Sequence, residues 1–122
     1  MQSHCEDKIE EIDRQTGAVV NELKLQDIIK CKYENLVDWA HINTVSYQPE
    51  TDTILLSVRN LESVIKVNWT TKEIQWILCD PRFWEGTDYE KYVLKADGDF
   101  IYQFQQHTAY RLIQIWMAMT RL

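Results

Sequence analysis

Two stretches of the chain repeat one pattern. EEIDRQTGAVVNEL and IKVNWTTKEIQWIL align 55 positions apart, Ile12 on Val67, Thr16 on Thr71, Val19 on Ile74 and Leu23 on Leu78. Each is a pair of alternating apolar-polar runs closed by a polar turn and ending on an apolar residue, which is the signature of a β-hairpin. In the first, Gly17 offers the backbone a positive φ without the Cβ clash other residues suffer. Strand-only units at such an interval, with one long loop per unit, fit β-propeller blades. An ordinary β-meander with coincidentally similar hairpins fits the same letters.

The rest of the sequence reads in the same class. Leu25, Ile28, Ile29 and Leu36 suit a short helix within residues 24–36. Ile42, Thr44 and Val45 begin a strand, residues 49–52 turn, and TILLSVRN returns. Residues 80–92 form an irregular aromatic loop with room for a helical turn. VLKADGDFIYQFQQH reads as strand, a turn at Asp97 and Gly98, and strand. The expected class is all-β with short helical turns.

Composition removes several functions. The chain has 122 residues, a length that fits one domain. Thirteen Lys and Arg against 19 Asp and Glu give a net charge of −6, which argues against nucleic acid and anionic membranes as partners. A hydrophobic content of 45% with 26% charged residues is globular rather than disordered. No run approaches the roughly 20 apolar residues of a membrane helix. Cys5, Cys31 and Cys79 have no zinc spacing, so no metal or cofactor is expected. Residues 1–7 lack a signal-peptide pattern, which at face value points to the cytoplasm.

Three places hold polar groups suited to chemistry. Asp38, Trp39, Ala40, His41, Ile42 and Asn43 form the densest polar-aromatic cluster. In a strand, His41 and Asn43 share a face and can clamp an oxyanion, or simply bond the backbone. Arg59, at the end of TILLSV, offers a planar donor fork to a tetrahedral anion, or a surface ion pair. His107, after FIYQFQQ, is a candidate nucleophile or base, or a structural histidine.

In order along the chain, these segments resemble the bacterial arylsulfate sulfotransferase family. DWAHINTVSYQPETDTILLSVRN is similar to that family's Asp-Trp-x-His-x-Asn, strand, turn and strand ending in Ser-x-Arg. VIKVNWTTKEIQWIL resembles the hairpin that follows, and FIYQFQQHTA the later Gln-His-small segment. The resemblance runs from about residue 8 to about residue 109. It implies a six-bladed β-propeller that moves a sulfuryl group from an aryl sulfate to a phenol, without the nucleotide sulfate donor PAPS. It places the nucleophile on His107 and the sulfuryl-binding groups on His41, Asn43 and Arg59. It also implies an aryl pocket, for which Trp39 and the aromatics around Phe83 and Trp84 are candidates, and an exported or periplasmic protein.

At about 40–45 residues per blade, the chain corresponds to two to three blades. The family's other active-site residues fall outside the matched segment, so the isolated chain is expected to be inactive. Residues 1–109 form the expected partial propeller and residues 110–122 an atypical tail. Read one base out of frame, that tail encodes Asp-Gly-[Asn/Asp/His/Tyr]-Asp from Trp116 to Thr120, a turn of the kind the family places there. A frameshifted continuation and an amphipathic helix are the two readings of the tail. A non-enzymatic propeller-type binding or scaffold module is the alternative function, and a small complete β-domain the alternative fold.

Overall fold

The structure, a computed structural model, describes residues 7–30 and 38–109. The tail over 110–122 lies outside the described residues. The described residues form two antiparallel sheets. β1 (Lys8–Ile12) pairs with β2 (Val19–Lys24), and β3 (Ile42–Gln48), β4 (Thr53–Val58), β5 (Ser63–Asn68) and β6 (Ile74–Leu78) follow as a meander in sequence order. The helices are short: α1 (Leu25–Ile28) and α2 (Pro81–Trp84), with 3-10 turns at Arg59–Leu61 and Glu90–Tyr92. The chain is all-β. Leu36, proposed as part of the first helix, lies outside the described residues.

The repeat seen in the sequence extends to individual hydrogen bonds. Asp13 Oδ1 accepts the N–H groups of Gln15 and Thr16 at 2.9 and 2.8 Å; Asn68 Oδ1 accepts those of Thr70 and Thr71 at 3.0 and 2.8 Å. Gly17 N–H donates to Asp13 O at 2.8 Å, and Lys72 N–H to Asn68 O at 2.9 Å. The pairs Ile12–Val19 and Val67–Ile74 each follow a register shift at the same place in the hairpin. Gly17 has φ 72° and Lys72 φ 64°, so the turn imposes a left-handed residue whichever side chain stands there.

One core joins the two sheets. Every residue of β4 is buried, as expected for a central strand covered on both faces. Ile54, Leu56, Ile65, Val67 and Ile77 meet Leu23, Leu25 and Ile29 from the hairpin and the segment after it. Each such side chain contributes about 1.5–3 kcal/mol on leaving water. α2 is started by Asp80, whose Oδ1 accepts Arg82 N–H at 3.0 Å, with Pro81 at the first helical position. Trp84 at its end is fully buried, and its indole N–H donates to Ser63 Oγ at 3.0 Å.

Polar contacts fix how the hairpin sits on the sheet. The Trp69 indole donates to Glu11 Oε2 at 2.9 Å, and Asn21 Nδ2 to Trp69 O at 3.4 Å. Lys72 Nζ donates to Asn21 Oδ1 at 2.8 Å and to Trp69 O, and lies 3.6 Å from the Trp69 ring centroid.

One expectation fails. Residues 93–107 are not a hairpin. Val93 makes a single parallel bridge to Ile77, with Leu94 N–H donating to Ile77 O at 2.9 Å, and the ladder goes no further. The alternation in FIYQF has strand character, but strand character does not supply a partner. Ile101 is left 97% exposed and Phe104 71%.

Candidate active site

The candidate residues gather at one end of the four-stranded sheet, where β3 and β5 begin and β4 and β6 end. The pair Ile42–Val58 closes the β3–β4 ladder there, and two further main-chain bonds extend it. Arg59 N–H donates to His41 O at 3.0 Å, and Asn60 N–H to Ala40 O at 2.9 Å. His41 and Arg59 are therefore tied to each other through the backbone.

His41 does not lie in the strand. It has φ 60°, a left-handed conformation that costs a non-glycine residue energy and must be held from outside. Asp7 holds it. This carboxylate is 9% exposed and accepts the N–H of His41 at 3.2 Å and that of Ile42 at 2.7 Å. The imidazole is half-exposed, with Nδ1 2.9 Å from Asp38 Oδ2. The Asp38 carboxylate thus orients the imidazole ring through Nδ1.

Asn43 is a bulge residue. Pairing passes from Ile42–Val58 to Thr44–Ser57, so Asn43 has no partner across the ladder. The rule that puts His41 and Asn43 on one face therefore fails twice, since His41 precedes the strand and Asn43 interrupts it. Asn43 Nδ2 donates at 2.7 Å to Gln106 O, the peptide oxygen just before His107. Its Oδ1 is buried without a hydrogen-bond partner among the described residues.

Arg59, immediately after β4, reaches the same segment. One guanidinium nitrogen donates to Gln105 Oε1 at 3.2 Å and another to Asn60 Oδ1 at 3.3 Å. Gln105 has φ 48°, a second strained backbone position at this end of the sheet. His107 itself is exposed. Asn43 and Arg59 thus converge on the two residues that precede His107, while His41 joins the group through Arg59.

The aromatic candidates behave differently. Trp39 is 2% exposed and Trp84 1%, and both belong to the core rather than a pocket wall. Phe83 packs partly buried against that core, edge-on to Trp84 at 5.2 Å between ring centroids. A groove of about 620 Å³ runs instead beside the His107 segment, lined by Glu62, Asp80, Arg82, Phe100, Tyr102 and Phe104 among others. Sequence reasoning also missed Asp7, because nothing local marks an acid near a chain end as the mooring of a histidine 34 positions later.

The sequence profile of the arylsulfotransferase (ASST) family matches residues 1–115. The arylsulfate sulfotransferase AssT of Escherichia coli O6:H1 (strain CFT073) is 29% identical, over 60% of this chain and 14% of that protein. The AssT of Lelliottia amnigena is 27% identical over the same shares. The chain thus spans about one seventh of the length of these curated relatives. With the family profile covering nearly the whole sequence, the chain belongs to the arylsulfotransferase family.

Proposed function

We propose that this chain carries the sulfuryl-binding and nucleophilic part of an arylsulfate sulfotransferase whose complete fold is a six-bladed propeller. The convergence of Asn43 and Arg59 on Gln105 and Gln106, directly before His107, carries the reading. β3 to β6 correspond to one four-stranded blade, and β1 and β2 to the outer hairpin of the blade before it. The equivalence of the two hairpins supports that assignment.

His107 acts as nucleophile. Its neutral imidazole attacks the sulfur of an aryl sulfate, a nitrogen–sulfur bond forms, and the sulfur–oxygen bond breaks with its electron pair leaving on the phenolate. A second phenol then gives up its proton to solvent. Its oxygen attacks the same sulfur, and the imidazole recovers the electron pair. No nucleotide donor enters either step. Arg59, Asn43 and His41 hold the sulfuryl oxygens as charge builds on them. Phenols have a pKa of about 10, so the leaving group needs little acid assistance and positioning supplies much of the rate.

The test is nitrophenol release from p-nitrophenyl sulfate with phenol as acceptor, using the full-length gene product. Release is expected from the wild type and not from His107→Ala. Without acceptor, the wild-type peptide bearing His107 is expected to gain the mass of one SO₃ group. The isolated 122-residue chain, with an incomplete site, is expected to be inactive. Release that survives His107→Ala removes the nucleophile assignment. An inactive full-length wild type favours a binding or scaffold role.

A further inference from the structure

The segment that carries His107 has a mounting problem. It lies on the end of the sheet but is not a strand, so no main-chain ladder fixes it. Two glutamine side chains take the place of that ladder. Gln106 Nε2 donates to Val58 O at 3.2 Å and to Ser63 O at 2.9 Å, the carbonyls of the last residue of β4 and the first of β5. Gln103 Nε2 donates to Glu62 O at 3.0 Å and to Leu78 O at 2.6 Å, reaching the turn before β5 and the end of β6. Each amide spends both N–H groups on carbonyls from two different parts of the sheet end.

The chemistry of the side chain explains the choice. A carboxamide nitrogen carries two donors on one atom, whereas a carboxylate carries none and a hydroxyl one. The donors also decide how Gln106 is turned, because its Oε1 is buried without a partner among the described residues. The main chain of the same residue is gripped from the other side, its carbonyl accepting from Asn43 Nδ2 at 2.7 Å. Beyond His107, Ala109 N–H donates to Thr44 Oγ1 at 3.4 Å. His107 is thus exposed at its ring and clamped on both sides through its neighbours.

We infer that Gln106, with Gln103 behind it, is a positioning residue for His107, setting the imidazole against the sulfuryl-binding groups through hydrogen bonds to the ends of β4, β5 and β6. This rests on the reading of His107 as nucleophile. An imidazole must meet sulfur in line, and a misplacement of about 1 Å costs on the order of a hundredfold in rate. A side chain that touches no substrate and fixes that geometry acts on turnover rather than on substrate binding.

Two measurements on the full-length gene product test it. Gln106→Glu keeps the shape and removes both donors, and Gln103→Ala removes the lower pair of bonds. In each variant, amide hydrogen exchange is expected to rise over residues 99–109 and stay unchanged in β4 and β5. In each, kcat for p-nitrophenyl sulfate is expected to fall roughly ten- to a hundredfold with KM little changed. Unchanged exchange in both variants overturns the inference, as does raised exchange with wild-type kcat. A loss expressed in KM alone overturns it too. If the wild type is inactive, or His107→Ala retains activity, the underlying reading fails instead, and the exchange data tell that failure from this one.

Discussion

Single residues at the candidate-site end of the sheet hold strained backbone, and their stability can be tested one side chain at a time. Asp7 moors His41 at φ 60° by accepting two main-chain N–H groups, and its own carbonyl accepts Leu25 N–H at 2.9 Å. Asp7→Ala strands those donors near the core and is expected to destabilise the chain by about 1–3 kcal/mol, read from the midpoint of urea unfolding. An unchanged midpoint would mean that His41 holds its conformation unaided. Cys79 tests burial instead of mooring. Burial pushes its thiol up from an ordinary 9.0 to about 11. The native thiol is therefore expected to resist iodoacetamide at neutral pH and to react once the chain is unfolded. Because the folded value lies above the unfolded one, the associated stability is complete below pH 9.0 and is lost as pH rises towards about 11. Rapid alkylation of the folded chain would contradict the burial of Cys79. His41, Asn43, Arg59 and His107 are legible in the sequence as candidates, because their order along the chain carries the family resemblance, and the structure brings Asn43 and Arg59 to the residues before His107. The bulge at Asn43 could not, since a bulge is a mismatch between two strands and neither strand encodes it alone.

At the scale of elements, the hairpins were legible because hairpins are local. Alternation gives the strands, a short polar residue starts the turn, and the positive-φ position follows four residues later. The equivalence makes a sharp prediction. Asp13 has its carboxyl held below the usual 3.8 by the N–H groups of Thr16 and Gln15, and Asn68 accepts the same pair of bonds without a charge. Asp13→Asn is therefore expected to fold normally at neutral pH, while Asp13→Ala lowers the melting midpoint. The depressed pKa means that this acid's contribution is present above pH 3.8 and is lost as pH falls below it. The wild type should accordingly lose midpoint relative to Asp13→Asn on acidification through that range. Parallel acid limbs for the two proteins would show that the Asp13 charge plays no part in the turn. The segment over 93–107 was misread for the opposite reason. Its alternation is real, but a strand is a property of a pair, and among the described residues the main chains of β6 and this segment meet only at Val93 and Leu94. What replaces the ladder, Gln103 and Gln106 reaching carbonyls up to 48 positions away, leaves no periodic trace in a sequence.

For the whole molecule, the issue is how a two-stranded hairpin stays folded beside a four-stranded sheet. An isolated hairpin is marginal in water, and this one leaves Ile12, Val19 and Val20 more than half exposed. Its stability must come from docking. Leu23, with Leu25 and Ile29 just beyond the hairpin, supplies the apolar part, and the contacts among Glu11, Asn21, Trp69 and Lys72 supply the polar part. Lys72 is the pivot, because one ammonium serves the Asn21 amide, the Trp69 carbonyl and the Trp69 ring. Desolvation lowers its pKa, while Asp52 and Glu11 oppose that shift, which fits an ammonium drawn partly out of water. Its left-handed backbone, φ 64°, sets a second constraint. Glycine there would relieve strain of about 1–2 kcal/mol but lose every contact of the ammonium. The two effects separate in a double-mutant cycle of Lys72→Met and Asn21→Ala. Both variants keep a side chain with a Cβ, so neither removes the strain, and a coupling of about 1–2 kcal/mol is expected. Hydrogen exchange should locate the loss. With the Lys72–Asn21 bond removed, amides of β1 and β2 are expected to exchange faster while those of β4 and β5 keep their wild-type protection, because that bond joins one sheet to the other. Uniform acceleration across both sheets would instead make the molecule a single cooperative unit and that bond merely one of its many contacts.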